Sequence, residues 1–426
     1  MKENNMKKLG WMGSIVLMLI PHILLGVSPD SVLNLEDVIN IALKENPQLR
    51  AMYSNADAAK TRIPQASSLP DPQLTLGIMS LPANSYAFNQ EPMTQKTIGI
   101  SQSFPFFGKL ALRENIASSE HRIVDQEVQQ TNLVLLKNVK DTFFRMAFLQ
   151  RAEDILIQNR TLLHDLIEIT RTRYSVGKGI QQDILKSQLQ SLQIEQQLIE
   201  IQEQYKNVSS ELNILLNRLP QESLARPQQP PLTDLDLDII RLQEIAAKNS
   251  PILMMFQHEI ELNQAQVSLA RREYWPDFML SVSYGQRETM SDFLSAMISV
   301  NIPLYAGSKQ ARNVEEKKYH LQATEHTYSD QKNNLYLKVK NLADETAKNR
   351  DLIILYREQI LPHAEQALNS SIAAYQNDKV DFLTVIDNQV TLLNNQLQLE
   401  RFIAEYHQSV ANLELICGTG LVGVTR

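Results

Sequence analysis

Ser103-Phe104-Pro105-Phe106-Phe107-Gly108-Lys109 returns later in the chain as Asn301-Ile302-Pro303-Leu304-Tyr305-Ala306-Gly307-Ser308-Lys309. Each copy follows a short alternating run and precedes a very long helical pattern. Proline has no N–H to give to a sheet ladder and blocks helix propagation, and glycine allows unusual backbone angles. Pro105 with Gly108, and Pro303 with Gly307, therefore predict joints where a strand stops and a helix begins. Outward from these joints the chain reads as two copies of one unit: helix, strand, loop, strand, joint, long helix, tip, long helix.

Before the first joint, Leu74, Leu76 and Ile78 alternate with Thr75, Gly77 and Met79, and Ile98, Ile100, Gln102 and Phe104 alternate with Thr97, Gly99, Ser101 and Ser103. Period two with small or polar partners is the pattern of a strand with one apolar face. Before the second joint, Phe278, Leu280, Val282 and Tyr284 share one face, as do Ala296, Ile298, Val300 and Ile302. On local pattern alone a soluble β-hairpin packed on a helix is the simpler reading; the rest of the chain changes it.

After Gly108 no proline occurs until Pro220, and the helical pattern from Leu110 to about Tyr174 would extend almost ~100 Å at ~1.5 Å per residue. A break at Tyr174-Ser175-Val176-Gly177-Lys178-Gly179 precedes a second long helix. Its apolar positions Ile194, Leu198, Ile201, Tyr205, Val208, Leu212, Leu215 and Leu219 form a sustained heptad repeat, so the two helices pair as a long hairpin. The last helix repeats the pattern at Leu399, Ile403, Tyr406, Val410, Leu413 and Cys417. Tyr174, Gln188, Tyr205 and Leu212 correspond to Tyr375, Gln389, Tyr406 and Leu413 at one common offset, which points to duplication. The boundaries read as a leader at 1–28, a first repeat at 29–219, a Pro-rich linker at 220–232, a second repeat at 233–420 and a tail at 421–426. Pro362, late in the third long helix, is a candidate kink.

Of 426 residues, 43% are hydrophobic, 21% charged and 6% aromatic, and the net charge is −7. That charge removes the usual electrostatic reason to propose nucleic acid as a partner. With Cys417 alone there is no intrachain disulfide and no thiolate metal cluster. Lys2, Lys7 and Lys8 before the uncharged run Leu9 to Val27 read as a secretory signal peptide. Past residue 28 no stretch approaches the ~20 apolar residues of a spanning helix, so entry into a membrane would have to use strands. Four strands cannot close a membrane barrel, which needs about 8 or more, whereas three copies give about 12. The expected fold is mainly α with a membrane β-barrel: a homotrimer whose barrel of about 12 strands is continued by an α-helical barrel.

In this duplicated order, in its strand-to-helix joints, and in the tips Arg173-Tyr174-Ser175-Val176-Gly177 and Ala374-Tyr375-Gln376-Asn377-Asp378, the chain resembles the TolC family of outer-membrane efflux channels. The Phe104-Pro105-Phe106-Phe107-Gly108-Lys109 joint looks most like members that work with metal-cation pumps. The resemblance implies a passive outer-membrane exit duct extending into the periplasm, serving an inner-membrane transporter through a periplasmic adaptor. It implies no cofactor and no catalysis. The same resemblance implies that Asp387 rings the lumen above the second tip, where three carboxylates would attract cations. A second ring position falls on Thr384. Asp183 matches a tip acid that pairs with a basic residue of a neighbouring helix, but that position is Val380 here, with Lys379 adjacent. Tyr174 and Tyr375 match closure positions; Gly177 and Asp378, the latter replacing a usual glycine, match adaptor contacts.

Met79, Met93, Met290 and Met297 lie on or near the strands and read as packing or lipid-facing residues, with contact to a soft ion as the sharper alternative. No H-E-x-x-H, P-loop or G-x-S-x-G is present, so an enzyme is not expected. Two rival readings stand beside the efflux duct: a periplasmic coiled-coil structural or adaptor protein, and the same channel serving type I protein secretion.

Overall fold

The computed structural model describes residues 32–229, 231–232 and 235–421. The expected leader at 1–28 and most of the tail lie outside the described residues. Two helices, α1 (Leu35–Glu45) and α2 (Pro47–Ser67), precede strands β1 (Gln73–Met79) and β2 (Gln95–Phe104) and helices α3 (Lys109–Ser175) and α4 (Gln181–Leu215). The order then recurs with α5 (Ile239–Asn249), α6 (Pro251–Arg272), β3 (Phe278–Gln286), β4 (Phe293–Val300), α7 (Gln310–Leu355), α8 (Leu361–Gln376) and α9 (Phe382–Cys417). Local chemistry sets the corners. Asn46 ends α1 and caps α2, accepting from Leu49 N at 3.1 Å, with Pro47 in the first helical position, where its missing N–H does no harm. Ser250-Pro251 repeats the proline at the helix start between α5 and α6, although the Ser250 side chain makes no capping bond. Pro362 acts through the turn before it: α7 and α8 form one rod interrupted by a π-helical turn at Tyr356–Ile360, because the proline ring crowds the carbonyl four residues back and supplies no N–H.

The four strands form one antiparallel sheet in the order β1-β2-β3-β4. Its register aligns the apolar positions across the sheet. Leu74 faces Ile100, Ile100 faces Val282 and Val282 faces Ala296; in the next row stand Leu76, Ile98, Tyr284 and Leu294. Thr75, Gly99, Ser283 and Ser295 share the opposite face, since successive side chains alternate. The apolar face is bare: Leu76 is 70% exposed, Ile298 72% and Leu294 79%. Among the described residues no helix packs on it, so the hairpin packed on a helix that local pattern suggested does not form there. Met79 and Met297 belong to the small-residue face, opposite Gln95 and Ser281, and not to the apolar rows.

Each strand continues into a helix, and the helices keep the strand order: α2 packs on α3, α3 on α6 and α6 on α7. Farther from the sheet, α3 lies between α4 and α9, and α9 packs on α7 and α8. The apolar seams are buried in three clusters, around Phe143, Met146 and Leu212, around Val339, Leu413 and Cys417, and around Leu163, Ile194 and Val385. A polar layer crosses from α3 to α9. Gln389 Nε2 donates to Asn159 Oδ1 at 3.1 Å and Asn159 Nδ2 to Gln396 Oε1 at 3.1 Å. Lys140 of α3 pairs with the largely buried Glu414 of α9. Buried polar pairs of this kind fix helix register, because a slip would leave them without partners.

The first joint is tied to the second half. Gly108 stands at φ 86°, where a side chain would be strained, and lets the chain turn into α3. Lys109 is 5% exposed; its Nζ donates to Asp277 Oδ1 at 2.7 Å and to Trp275 O at 2.9 Å. Phe106 N donates to the same carboxylate oxygen at 2.8 Å. The second joint differs from expectation: Gly307 is not in the left-handed region, and the chain reaches α7 through ordinary turns after Pro303. The segment after α4 is not slack either. Leu33 N donates to Arg226 O at 2.8 Å and Gln228 N to Leu33 O at 2.9 Å, so it pairs with the start of the described chain.

Candidate gate at the helical tips

The two turns farthest from the sheet join α3 to α4 and α8 to α9. Both use one backbone device. At the first, Gly177 N donates to Tyr174 O and Lys178 N to Arg173 O; at the second, Asp378 N donates to Tyr375 O and Lys379 N to Ala374 O. This pattern closes a helix with one left-handed residue. Gly177 fills that position at φ 74° and Asp378 at φ 57°. Asp tolerates the left-handed region better than most residues, which explains how it can stand in a glycine position.

Side chains then tie the tips together. The guanidinium of Arg173 pairs with Asp378, donates to Gln376 O at 3.0 Å and to Lys178 O at 3.1 Å, and lies 4.6 Å from the centre of the Tyr375 ring. The hydrogen bond to Asp378 holds the Arg173 pKa above its usual range. Tyr375 is 4% exposed and donates its hydroxyl to Asp183 Oδ2 at 3.0 Å. Burial, reinforced by that carboxylate, pushes the phenol up to about 12. Each tip therefore grips the other twice within one protomer. Asp183 is held by a tyrosine, and among the described residues neither Val380 nor Lys379 provides it with an ion pair.

The remaining expected residues fall as follows. Tyr174, the repeat counterpart of Tyr375, is exposed, as are Val176 and Ile180 beside it. Thr384 donates through both its N–H and its hydroxyl to Asp381 Oδ1, at 3.0 and 2.8 Å, which makes it part of the cap of α9. Those bonds hold the Asp381 carboxyl below the usual carboxylate range. Asp387 is exposed, one turn beyond Thr384 on the same helix. The role of Arg173 is not evident from the sequence pattern alone. Asp381 does carry a legible signal, an Asp three residues before a Thr at a helix start; the partnership of Arg173 with a residue in the other repeat has no local signature. Among the described residues no cluster of His, Cys, Asp or Glu could hold a metal ion, and no helix is long and apolar enough to cross a membrane.

A bare apolar sheet face continued by helices that end in paired tips is the protomer of an outer-membrane efflux channel. The outer membrane efflux protein family model matches residues 38–218 and again 242–419, and the chain belongs to that family. It is 22% identical to the cobalt-zinc-cadmium resistance protein CzcC of Cupriavidus metallidurans over 388 residues, covering 91% of this chain and 90% of that one. Its fold superposes on the outer membrane protein VceC of Vibrio cholerae with a TM-score of 0.76 at 18% identity, covering 91% and 96% of the two chains. CusC, solved in a study of transmembrane channel formation, gives a TM-score of 0.74 at 17% identity, with 91% and 92% covered. The protein is thus an outer-membrane channel component whose helices extend into the periplasm.

Proposed function

We propose that this chain is the passive exit duct of a tripartite efflux system and that it works as a homotrimer. Three copies join the free edges of β1 and β4 into a barrel of about 12 strands. Its apolar face meets outer-membrane lipid, and its Thr/Ser/Gly face lines a wet lumen. The helices continue the duct, and the tips are the gate. An inner-membrane transporter supplies the driving force, and a periplasmic adaptor engages the turns at Gly177 and Asp378. Asp387, with Thr384 below it, lines the narrow end, and the pairs Arg173–Asp378 and Tyr375–Asp183 favour the closed state. The repeat units are residues 29–219 and 233–420, connected by 220–232. The likeness to a cobalt-zinc-cadmium resistance protein favours metal cations as cargo.

One observation carries this reading: among the described residues, an apolar sheet face has no covering element and is bounded by two strands whose outer edges have no partner. In water such a face and such edges would aggregate, whereas closure in lipid satisfies both. The family placement also speaks against a periplasmic coiled-coil structural protein. The test is purification from outer membranes followed by bilayer recording. Expected are a trimer that becomes a monomer only on heating, and discrete conductance steps. A water-soluble monomer without conductance would sink the reading.

A further inference from the structure

At the foot of the sheet, where α6 ends and α3 and α7 begin, the fold forms a polar cavity of about 530 Å³. Trp275, one of its walls, stacks on Phe106 at 5.1 Å, and Phe106 stacks in turn on Phe278 of the apolar face. The cavity therefore sits where the apolar band of the sheet gives way to helix. Around it stand side chains that no described residue of the protomer covers: Phe107 and Leu304 are each 81% exposed and Tyr305 76%. Bare aromatic residues at the end of an apolar band mark the boundary between hydrocarbon and lipid headgroups.

The polar lining carries both signs. Arg113 and Lys309 make no side-chain hydrogen bond or ion pair among the described residues, although both line the cavity. Asp277, which also lines the cavity, is already engaged by Lys109 and by Phe106 N, and the charge of Arg113 acts on it as well. The same lining also holds acceptors with spare capacity. Glu273 uses one oxygen for Asn313 at 2.8 Å, and Gln310 Oε1 is buried without any donor. Two unpaired cations suit a phosphate. A buried acceptor beside a half-used carboxylate suits a primary ammonium, which brings three N–H donors; a trimethylated amine brings none.

We propose that this cavity seats the headgroup of a zwitterionic aminophospholipid from the leaflet nearer the helices. Its phosphate lies on Arg113 and Lys309, and its ammonium faces Gln310 and Glu273. An adjacent groove of about 460 Å³, lined by Leu69, Phe104, Phe107 and Phe278, takes the start of an acyl chain. The inference rests on the reading of the sheet as a membrane barrel. Basic pockets at this depth in other membrane proteins hold lipid headgroups for the same reason, a fixed phosphate meeting fixed cations in a low-dielectric setting.

The experiment is native mass spectrometry of the intact trimer after exchange into vesicles of phosphatidylethanolamine, phosphatidylcholine or phosphatidylglycerol. Expected is retention of phosphatidylethanolamine, up to one per protomer, with the other two lipids retained about tenfold less. The double variant Arg113→Ala/Lys309→Ala should lose retention by about tenfold, and Gln310→Met should erase the preference for the ethanolamine headgroup over choline. Trimer mass in the same spectrum reports that each variant is assembled. A conducting trimer that retains the three lipids equally, that binds only inorganic phosphate, or whose double variant behaves as wild type overturns the lipid seat alone. A soluble monomer overturns the channel reading and this seat together.

Discussion

Arg173, on the last turn of α3, pairs across the tips with Asp378, a residue of the other repeat held at φ 57°. The arginine side chain is 12% exposed and the aspartate 58%, so the two ends of the pair differ in weight. An ion pair with one solvated partner contributes about 0–1 kcal/mol. The Arg173 guanidinium also satisfies two carbonyls and covers the Tyr375 ring, which adds about 1–3 kcal/mol. Arg173→Ala should therefore shift the tips toward the open state by about tenfold or more, and Asp378→Asn by less. Asp378→Gly separates charge from backbone: it relieves the left-handed strain yet removes the pair. That variant should match wild type in thermal stability while showing a higher open fraction in single-channel records. An open fraction equal to wild type in all three would remove the pair from the gate.

The second grip, Tyr375 to Asp183, makes a statement about pH. With its phenol pushed up to about 12, Tyr375 in the proposed gate should stabilise the closed tips fully below the ordinary tyrosine value of about 10. That contribution is lost as pH rises from there through about 12. Conductance attributable to this contact should be flat between about pH 6 and 9 and rise only in strong alkali. Tyr375→Phe should cost the closed state about 0.5–1.5 kcal/mol and flatten the alkaline rise. A rise near neutral pH that disappears in the variant would contradict the assignment.

Much of this architecture is legible in one sequence because its signals are periodic. The alternation at Leu74, Leu76 and Ile78, the heptads ending at Leu212 and Leu413, and the constant offset between Tyr174 and Tyr375 each report a repeating geometry. What escapes is singular. Arg173 meets Asp378 only because two distant turns converge, and no local spacing encodes that. A second stripe on α4, Leu185, Leu189, Leu192 and Ile199, is exposed in the protomer and is overshadowed by the buried heptad that shares the helix. Gly307 carries a glycine's licence for left-handed angles that the second joint does not use, since the turns after Pro303 suffice there.

Asp387 stands exposed on α9, above the tip. If three copies surround the axis, its carboxylates concentrate cations at the narrow end, as acidic rings do in other pores. Asp387→Asn should lower the cation-to-anion permeability ratio and relieve block by multivalent cations, with folding unchanged because the residue is solvated. Bilayer reversal potentials in a salt gradient give the answer. Selectivity unaltered by the substitution would place Asp387 outside the lumen.

Two glycines at nearly the same backbone angle should respond unequally to alanine. Gly177 stands at φ 74° with nothing within 4 Å of where a Cβ would lie, so Gly177→Ala meets only left-handed strain, about 1–2 kcal/mol. Gly418 stands at φ 72° where a Cβ would lie 2.2 Å from Asn249 O, in the corner between α5 and α6. Gly418→Ala adds that backbone clash to the same strain and should be severely destabilising, detaching the end of α9 from the second repeat. Trimer melting temperatures of the two variants, compared side by side, check this; equal losses would mean that the corner relaxes without resistance.

His407 supplies the acid limit of the helical barrel. It lies on α9 at 8% exposure, its ring 4.7 Å from Phe144 of α3, with Nε2 buried and without a partner. Burial alone pulls its pKa down to about 4. An imidazole that must stay neutral in the fold contributes stability above its unfolded value near 6.5, and that contribution is lost as pH falls through about 4. The full linkage is about 3 kcal/mol, and roughly 2 kcal/mol of it should already be gone at pH 5. His407→Phe keeps the aromatic packing on Phe144 and removes the proton site. The heat dissociation temperature of the trimer, measured between about pH 7.5 and 5, should fall less steeply in the variant than in wild type. Parallel curves would show that the α3–α9 seam opens to water before the imidazole charges, and that the carboxylates alone set the acid limit.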